Sequence, residues 1–167
     1  MIRVVVDDLA FLQVDAVLRP ANATLDPVTA ATSRLDEQAG QGFTRDRQVQ
    51  LPLDVGAAVV TGAGELAAQF VVHVVIQSAE RNVARDTVRK ALVSAWQRAS
   101  DWRLASIATP LVGAGVGALS LEDAASLLAE TFHARGGTAE FPAQLSIVVD
   151  REEDRALVEA ILNRGAV

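Results

Sequence analysis

Six short apolar runs recur along the chain, at Ile2–Val6, Val14–Leu18, Ala57–Thr61, Phe70–Ile76, Ala105–Thr109 and Leu145–Val149, with helix-patterned segments between several of them. Their unbroken, β-branched-rich character constrains the fold most. A strand covered on one face alternates apolar and polar residues, whereas a strand covered on both reads as continuously apolar. The runs therefore predict an α/β sandwich with helices on both faces of a buried sheet. At 167 residues and 50% hydrophobic, the chain reads as one domain over residues 1–167.

The helical segments are legible from their stripes. Val88, Ala91, Leu92, Ala95, Trp96, Ala99 and Trp102 recur at helical spacing and leave Arg85, Asp86, Arg89 and Lys90 toward water. Ser120 precedes Glu122 and Asp123 as an N-cap signal, Leu121, Ala124, Ala125, Leu128 and Phe132 form the apolar stripe, and Gly136-Gly137 ends it. A last helix is expected after a capping Asp150, with Glu153 at the reciprocal position and Leu157, Ala160 and Ile161 inward. A weaker pattern over Thr29–Ala39 stops at Gly40, and Gln41–Val55 reads as a long connection.

Composition narrows function. There is no cysteine, which excludes disulfides, thiol nucleophiles and cysteine-ligated metal sites, and two histidines without ligand spacing suggest no metal. Fifteen Lys and Arg against 21 Asp and Glu give a net charge of −6, a field that disfavours non-specific nucleic-acid binding and anionic membranes. The opening Met1-Ile-Arg-Val-Val-Val-Asp-Asp does not resemble a signal peptide and no long apolar span occurs, so a cytoplasmic location is expected.

Net charge constrains partners more than pockets. In Ser106-Ile-Ala-Thr-Pro110-Leu-Val-Gly113-Ala-Gly115-Val-Gly117-Ala-Leu-Ser120 a buried strand ends at a proline, a glycine-rich loop follows and a capped helix begins. Glycines allow positive φ and remove the Cβ atoms that block close approach, so successive N–H groups can converge on phosphate oxygens. The alternative is a tight strand-to-helix turn with no ligand. No lysine follows the glycines as in a P-loop, and Ala118 stands where a dinucleotide-binding fingerprint has its third glycine.

Four pieces in order carry a resemblance: Asp7-Asp8-Leu-Ala, then Val14-Asp15-Ala-Val-Leu-Arg19-Pro-Ala-Asn22-Ala-Thr-Leu25, then Gly56 to Leu66 with Phe70-Val-Val-His73-Val, then Ser106–Gly117. Together they resemble the macro domain, an ADP-ribose-binding module. The resemblance implies a three-layer α/β/α sandwich around a mixed, mostly parallel sheet. It places Asp8, with Leu9 beside it, at the adenine amine, where an acceptor-only carboxylate selects an amine over a carbonyl. It places Gly113, Ala114, Gly115, Val116 and Gly117 at the diphosphate, with Val116 packing near the ligand. Asn22 falls at the distal ribose, a position that hydrolytic members also link to catalysis; as a plain residue it is equally a turn-forming Asn at a strand end.

The chain departs from the family in its first ligand loop. Arg19 and Pro20 replace an asparagine and an alanine, and Arg19 is expected either to pair with ligand phosphate or to face solvent. Asp26-Pro-Val28-Thr29-Ala30-Ala31-Thr32 replaces a glycine run, so Cβ atoms crowd that loop. Thr29 and Thr32 stand where hydrolytic members carry an acid, and Lys90 lies on a polar helix face. His73 reads as a satisfied core histidine, and Trp96 and Trp102 as packing residues. Three functions follow: binding of ADP-ribose or a related nucleotide diphosphate, with ADP-ribosylated protein as a possible partner; ADP-ribosyl hydrolysis; or a degenerate protein-interaction module. The first is preferred because the second loop matches best, and no cofactor or metal is implied.

Overall fold

The computed structural model describes residues 1–115 and 118–165. Six strands form one sheet: β1 (Ile2–Val6), β2 (Ala16–Asn22), β3 (Ala58–Gly62), β4 (Phe70–Gln77), β5 (Ser106–Thr109) and β6 (Gln144–Val149), in the order β1-β6-β5-β2-β4-β3. All neighbours are parallel except β3, which runs antiparallel to β4. The helices are α1 (Ala30–Ala39), α2 (Gln41–Asp46), α3 (Arg85–Asp101), α4 (Leu121–His133) and α5 (Glu152–Gly165).

Two apolar layers explain the continuous strands. Leu18, Val72, Val74, Ile107, Leu145 and Ile147 pack against Val88, Leu92, Trp96, Leu128, Val158 and Ile161 of α3, α4 and α5. Val17, Val71, Ala108 and Val148 pack on the other face against Leu35, Ala39 and Phe43 of α1 and α2. In the inner strands β2, β4, β5 and β6 nearly every residue is thus covered whichever way it points, and alternation disappears. The sheet is mixed and mostly parallel with helices on both sides, as expected.

Four local expectations are corrected. The second strand runs Ala16–Asn22, through Pro20, where Val14–Leu18 was expected. Its bridges to β5 stop at Ala16 and Val17 while those to β4 continue, so apart from an isolated bridge of Ala21 to Pro27 the stretch around Pro20 pairs with β4 alone. A proline is tolerated there because that part of the strand is effectively an edge. The stretch after Gly40 contains a helix, α2, and its later part packs Val49, Leu53 and Val55 on Ala21, Leu25 and Val75. Trp102 sits past the end of α3, 51% exposed and against Phe70. In α5 the inward residues are Val158 and Ile161, whereas Leu157 and Ala160 are exposed; the helix begins at Glu152, so Arg151 rather than Asp150 holds the preceding position.

Candidate functional site

Where β2 and β5 part beyond Val17, a cleft of about 1140 Å³ opens at the carboxyl ends of the parallel strands. This is the crevice in which open α/β sheets bind ligands. Leu18, Pro20 and Ile76 form its floor, Val28, Thr29 and Ala31 one wall, and Gly113, Ala114 and Gly115 the facing loop. Asp7, Asp8 and Leu9 follow β1 at the far end, with Asp150, Arg151 and Asp154 after β6. β1 and β2 are three strand spacings apart, so the cleft extends roughly 14 Å across the sheet.

At the β1 end, Asp8 caps the 3-10 turn Leu9–Phe11 by accepting the Ala10 N–H at 2.9 Å through Oδ1. Asp8 lines the cleft with its other carboxylate oxygen outside this cap, and Leu9, the first residue of the turn, has an N–H for which the turn supplies no acceptor. An acceptor and a donor therefore stand side by side.

At the β5 end the glycines have separate reasons. A Cβ on Gly113, at φ +93°, would lie 2.6 Å from Leu119 Cδ1 and 3.0 Å from Val88 Cγ2, so positive φ and packing both favour glycine and those side chains would have to shift for any other residue. Among the described residues, a Cβ on Gly115, at φ +84°, would meet only Thr29 Cγ2 at 3.8 Å, an ordinary contact across the cleft. The positive φ accounts for the residue. Val116 and Gly117 lie outside the described residues.

The wall opposite is the start of α1. Thr29 Oγ1 accepts the Thr32 N–H at 3.1 Å and lies 2.9 Å from Thr32 Oγ1. The N–H groups of Ala30 and Ala31, the first two helical positions, have no acceptor within the helix and mark a positive end. Asn22 is placed apart from this surface. Its Oδ1 accepts from Thr24 N at 3.0 Å and Asp26 N at 2.9 Å, which closes a turn, and it is absent from the residues lining the cleft. Asp8, Leu9, Gly113, Ala114 and Gly115 come together; Asn22 does not join them. The Thr24 hydroxyl, donating to Asp26 Oδ2 at 2.6 Å, holds that carboxyl below its usual range.

Arg19 neither faces solvent nor reaches the cleft. Alternation along β2 sends it to the α1 face, where it is fully buried and gives Nε and Nη2 to the two oxygens of Asp36 at 2.7 Å each. Its Nη1 donates to Leu25 O at 2.8 Å and lies 3.2 Å from Nδ1 of His73, its cross-strand partner. Phe43 stacks on His73 at 5.7 Å between ring centroids. Arg47, also buried, adds Nη1 to Leu25 O at 2.8 Å and Nη2 to Asp36 at 3.4 Å. Asp36 and Arg47 escaped the sequence reading, although Asp36 sits one helical turn from Thr32 and Ala39 on the buried stripe of α1, which was the available signal.

Because Arg19 can only donate, His73 Nδ1 must accept and the proton sits on Nε2, which donates to Thr61 Oγ1 at 2.8 Å. Burial, with the nearby Arg19 and Arg47 charges, pushes the His73 pKa down to about 3. The unfolded chain therefore binds a proton near pH 6.5 that the folded one refuses until about pH 3. This contribution is complete above pH 6.5 and declines as pH falls through that window, by up to about 1.4 kcal/mol per pH unit. Urea denaturation at pH 7, 6 and 5 should show the decline in the wild type and a flatter profile in His73→Gln; equal slopes would contradict it.

The matching family model, the macro domain, covers residues 19–128. The chain belongs to the macro domain family. An uncharacterized protein of Aeropyrum pernix is 32% identical over 119 residues, 71% of this chain and 63% of that protein. An uncharacterized protein of Mycobacterium tuberculosis is 26% identical over 121 residues, 72% of this chain but 34% of that protein, so the chain spans only part of these relatives. Among solved structures, a mutant of the Oceanobacillus iheyensis macrodomain with ADPR superposes with TM-score 0.83 at 18% identity, covering 98% of this chain and 92% of that one. The Trypanosoma brucei macrodomain in complex with ADP-ribose gives TM-score 0.80 at 20% identity, covering 99% and 69%. Among the described residues of this macro domain, no three metal-ligating side chains converge.

Proposed function

We propose that this macro domain binds ADP-ribose or a closely related nucleotide diphosphate. The observation that carries the reading is the cleft itself, with a carboxylate and free N–H at Asp8–Leu9, and glycine-loop and α1 amides across the sheet. The first pair is complementary to an adenine edge, which offers an amine donor next to a ring-nitrogen acceptor. The amides suit phosphate oxygens and let an anion bind despite five acidic side chains against two arginines around the cleft. The solved macrodomains with ADPR and ADP-ribose support the same ligand class.

Binding without turnover is favoured by the first loop. Thr29 and Thr32 hold each other's hydroxyls and cap α1, so neither is poised to activate water. An open cleft, rather than one filled by side chains, favours a ligand over a purely protein-contact role.

Isothermal calorimetry with ADP-ribose, using AMP and ADP as competitors, tests the reading. Asp8→Asn supplies the sharper prediction, because its amide oxygen can keep the Ala10 cap while its NH2 faces the adenine amine, donor against donor. We expect it to weaken ADP-ribose by about tenfold or more. Folded wild-type protein that takes up no ADP-ribose at millimolar concentration would sink the reading.

A further inference from the structure

Two buried guanidinium groups converge on one backbone carbonyl beside the first loop. Arg19 Nη1 and Arg47 Nη1 each donate to Leu25 O at 2.8 Å, and Asp36 bridges them, at 2.7 Å from Arg19 and 3.4 Å from Arg47. Arg47 also reaches Asp26 Oδ1 at 3.5 Å. Leu25 is a non-glycine residue at φ +63°, a conformation its side chain disfavours and which the surroundings must impose.

The two ends of this cluster bracket the cleft wall. Leu25 lies at the turn that closes with Leu25 N to Asn22 O at 2.9 Å and Asn22 N to Asp26 O at 3.1 Å. Asp36 lies on α1, whose first turn carries Thr29 and Ala31 to the cleft. The segment between Leu25 and Asp36 is therefore tied at both ends to the same pair of arginines. We propose that Arg47, acting with Arg19 through the Leu25 carbonyl and Asp36, is a positioning residue that holds the Val28–Ala31 wall in its ligand-ready geometry. Arg47 is the informative member, because removing it leaves Arg19 and Asp36 as a neutral, doubly bonded pair.

The ligand half of this inference rests on the ADP-ribose reading, so the test has a ligand-free arm. In hydrogen exchange on the full chain, Arg47→Met should accelerate the amides of Leu25, which bonds to Asn22 O at the clamped turn, and of Thr32 and Ser33, which bond to Thr29 within the bracketed segment, by about tenfold or more while α3 and α4 stay unchanged. Arg47→Lys, which keeps a donor for Leu25 O, should stay within about threefold of wild type. Uniform acceleration, or none, overturns the proposal.

In calorimetry, Arg47→Met should weaken ADP-ribose by about tenfold or more but AMP by no more than about twofold, since AMP ends short of the wall when its base sits at Asp8. Parallel losses for both ligands would overturn the link to binding. Wild type that takes no ADP-ribose, with the local exchange effect present, removes the ligand reading and leaves the clamp standing. Wild type that binds ADP-ribose, with exchange unaffected by Arg47→Met, removes the clamp and leaves the ligand reading.

Discussion

Asp36→Ala is expected to lower the unfolding free energy by about 3–5 kcal/mol, as happens when one partner of a buried ion pair is removed. Arg19 is fully buried, and Asp36 accepts two of its 2.7 Å bonds. Without the carboxylate, two cations share the Leu25 carbonyl, Arg47 keeps Asp26 at 3.5 Å, and the Arg19 charge keeps only neutral acceptors. The loss arises from the stranded charge more than from the bonds themselves. The double replacement Asp36→Leu with Arg19→Met should therefore recover much of it, since apolar groups of similar volume leave less buried charge to strand. Equilibrium urea denaturation at pH 7 measures both; a single-variant cost below about 1 kcal/mol would mean that water reaches the pair.

Gly115→Glu should remove ADP-ribose binding by more than about a hundredfold while leaving the protein folded. The new side chain enters the cleft opposite Thr29 and carries a negative charge into the position proposed for phosphates. Its fold cost is confined to the positive φ, about 1–2 kcal/mol. Gly113→Ala gives the contrast two residues away. There the Cβ meets Leu119 and Val88 at 2.6 and 3.0 Å as well as the same backbone penalty, so stability falls first and the core between the loop and α3 must move. Thermal melting and calorimetry on the two variants separate the roles, and a Gly115→Glu protein that still binds with wild-type affinity would rule out the loop as the phosphate site.

Much of the frame was readable along the chain. Apart from the second, the strand runs appear within about two residues of their places, and the α3 stripe from Val88 to Ala99 and the Ser120 cap on α4 are as the pattern predicts. Ser120 Oγ accepts the Asp123 N–H at 3.0 Å, a contact between near neighbours that local spacing can specify. What failed locally failed for a tertiary reason. Pro20 reads as a strand stop, yet β2 continues because β5 has already left its side. Trp102 continues the apolar period of α3, but the helix ends at Asp101 and the ring is left half in solvent.

The site divides the same way. Asp8, Leu9 and residues 113–115 come to one cleft because each follows a strand at the carboxyl edge of the sheet, which gathers such turns. Asn22 is held in its own turn, with its oxygen accepting from Thr24 N and Asp26 N. Arg19 in an apolar strand and Asp36 on an apolar helix stripe each look, alone, like a charge out of place. Sequence by itself determined the layered α/β frame, since hydrophobic period and caps act over a few residues. Only the tertiary structure decided that two lone charges 17 residues apart would meet as a buried pair, because burying either is prohibitive until the other stands opposite it.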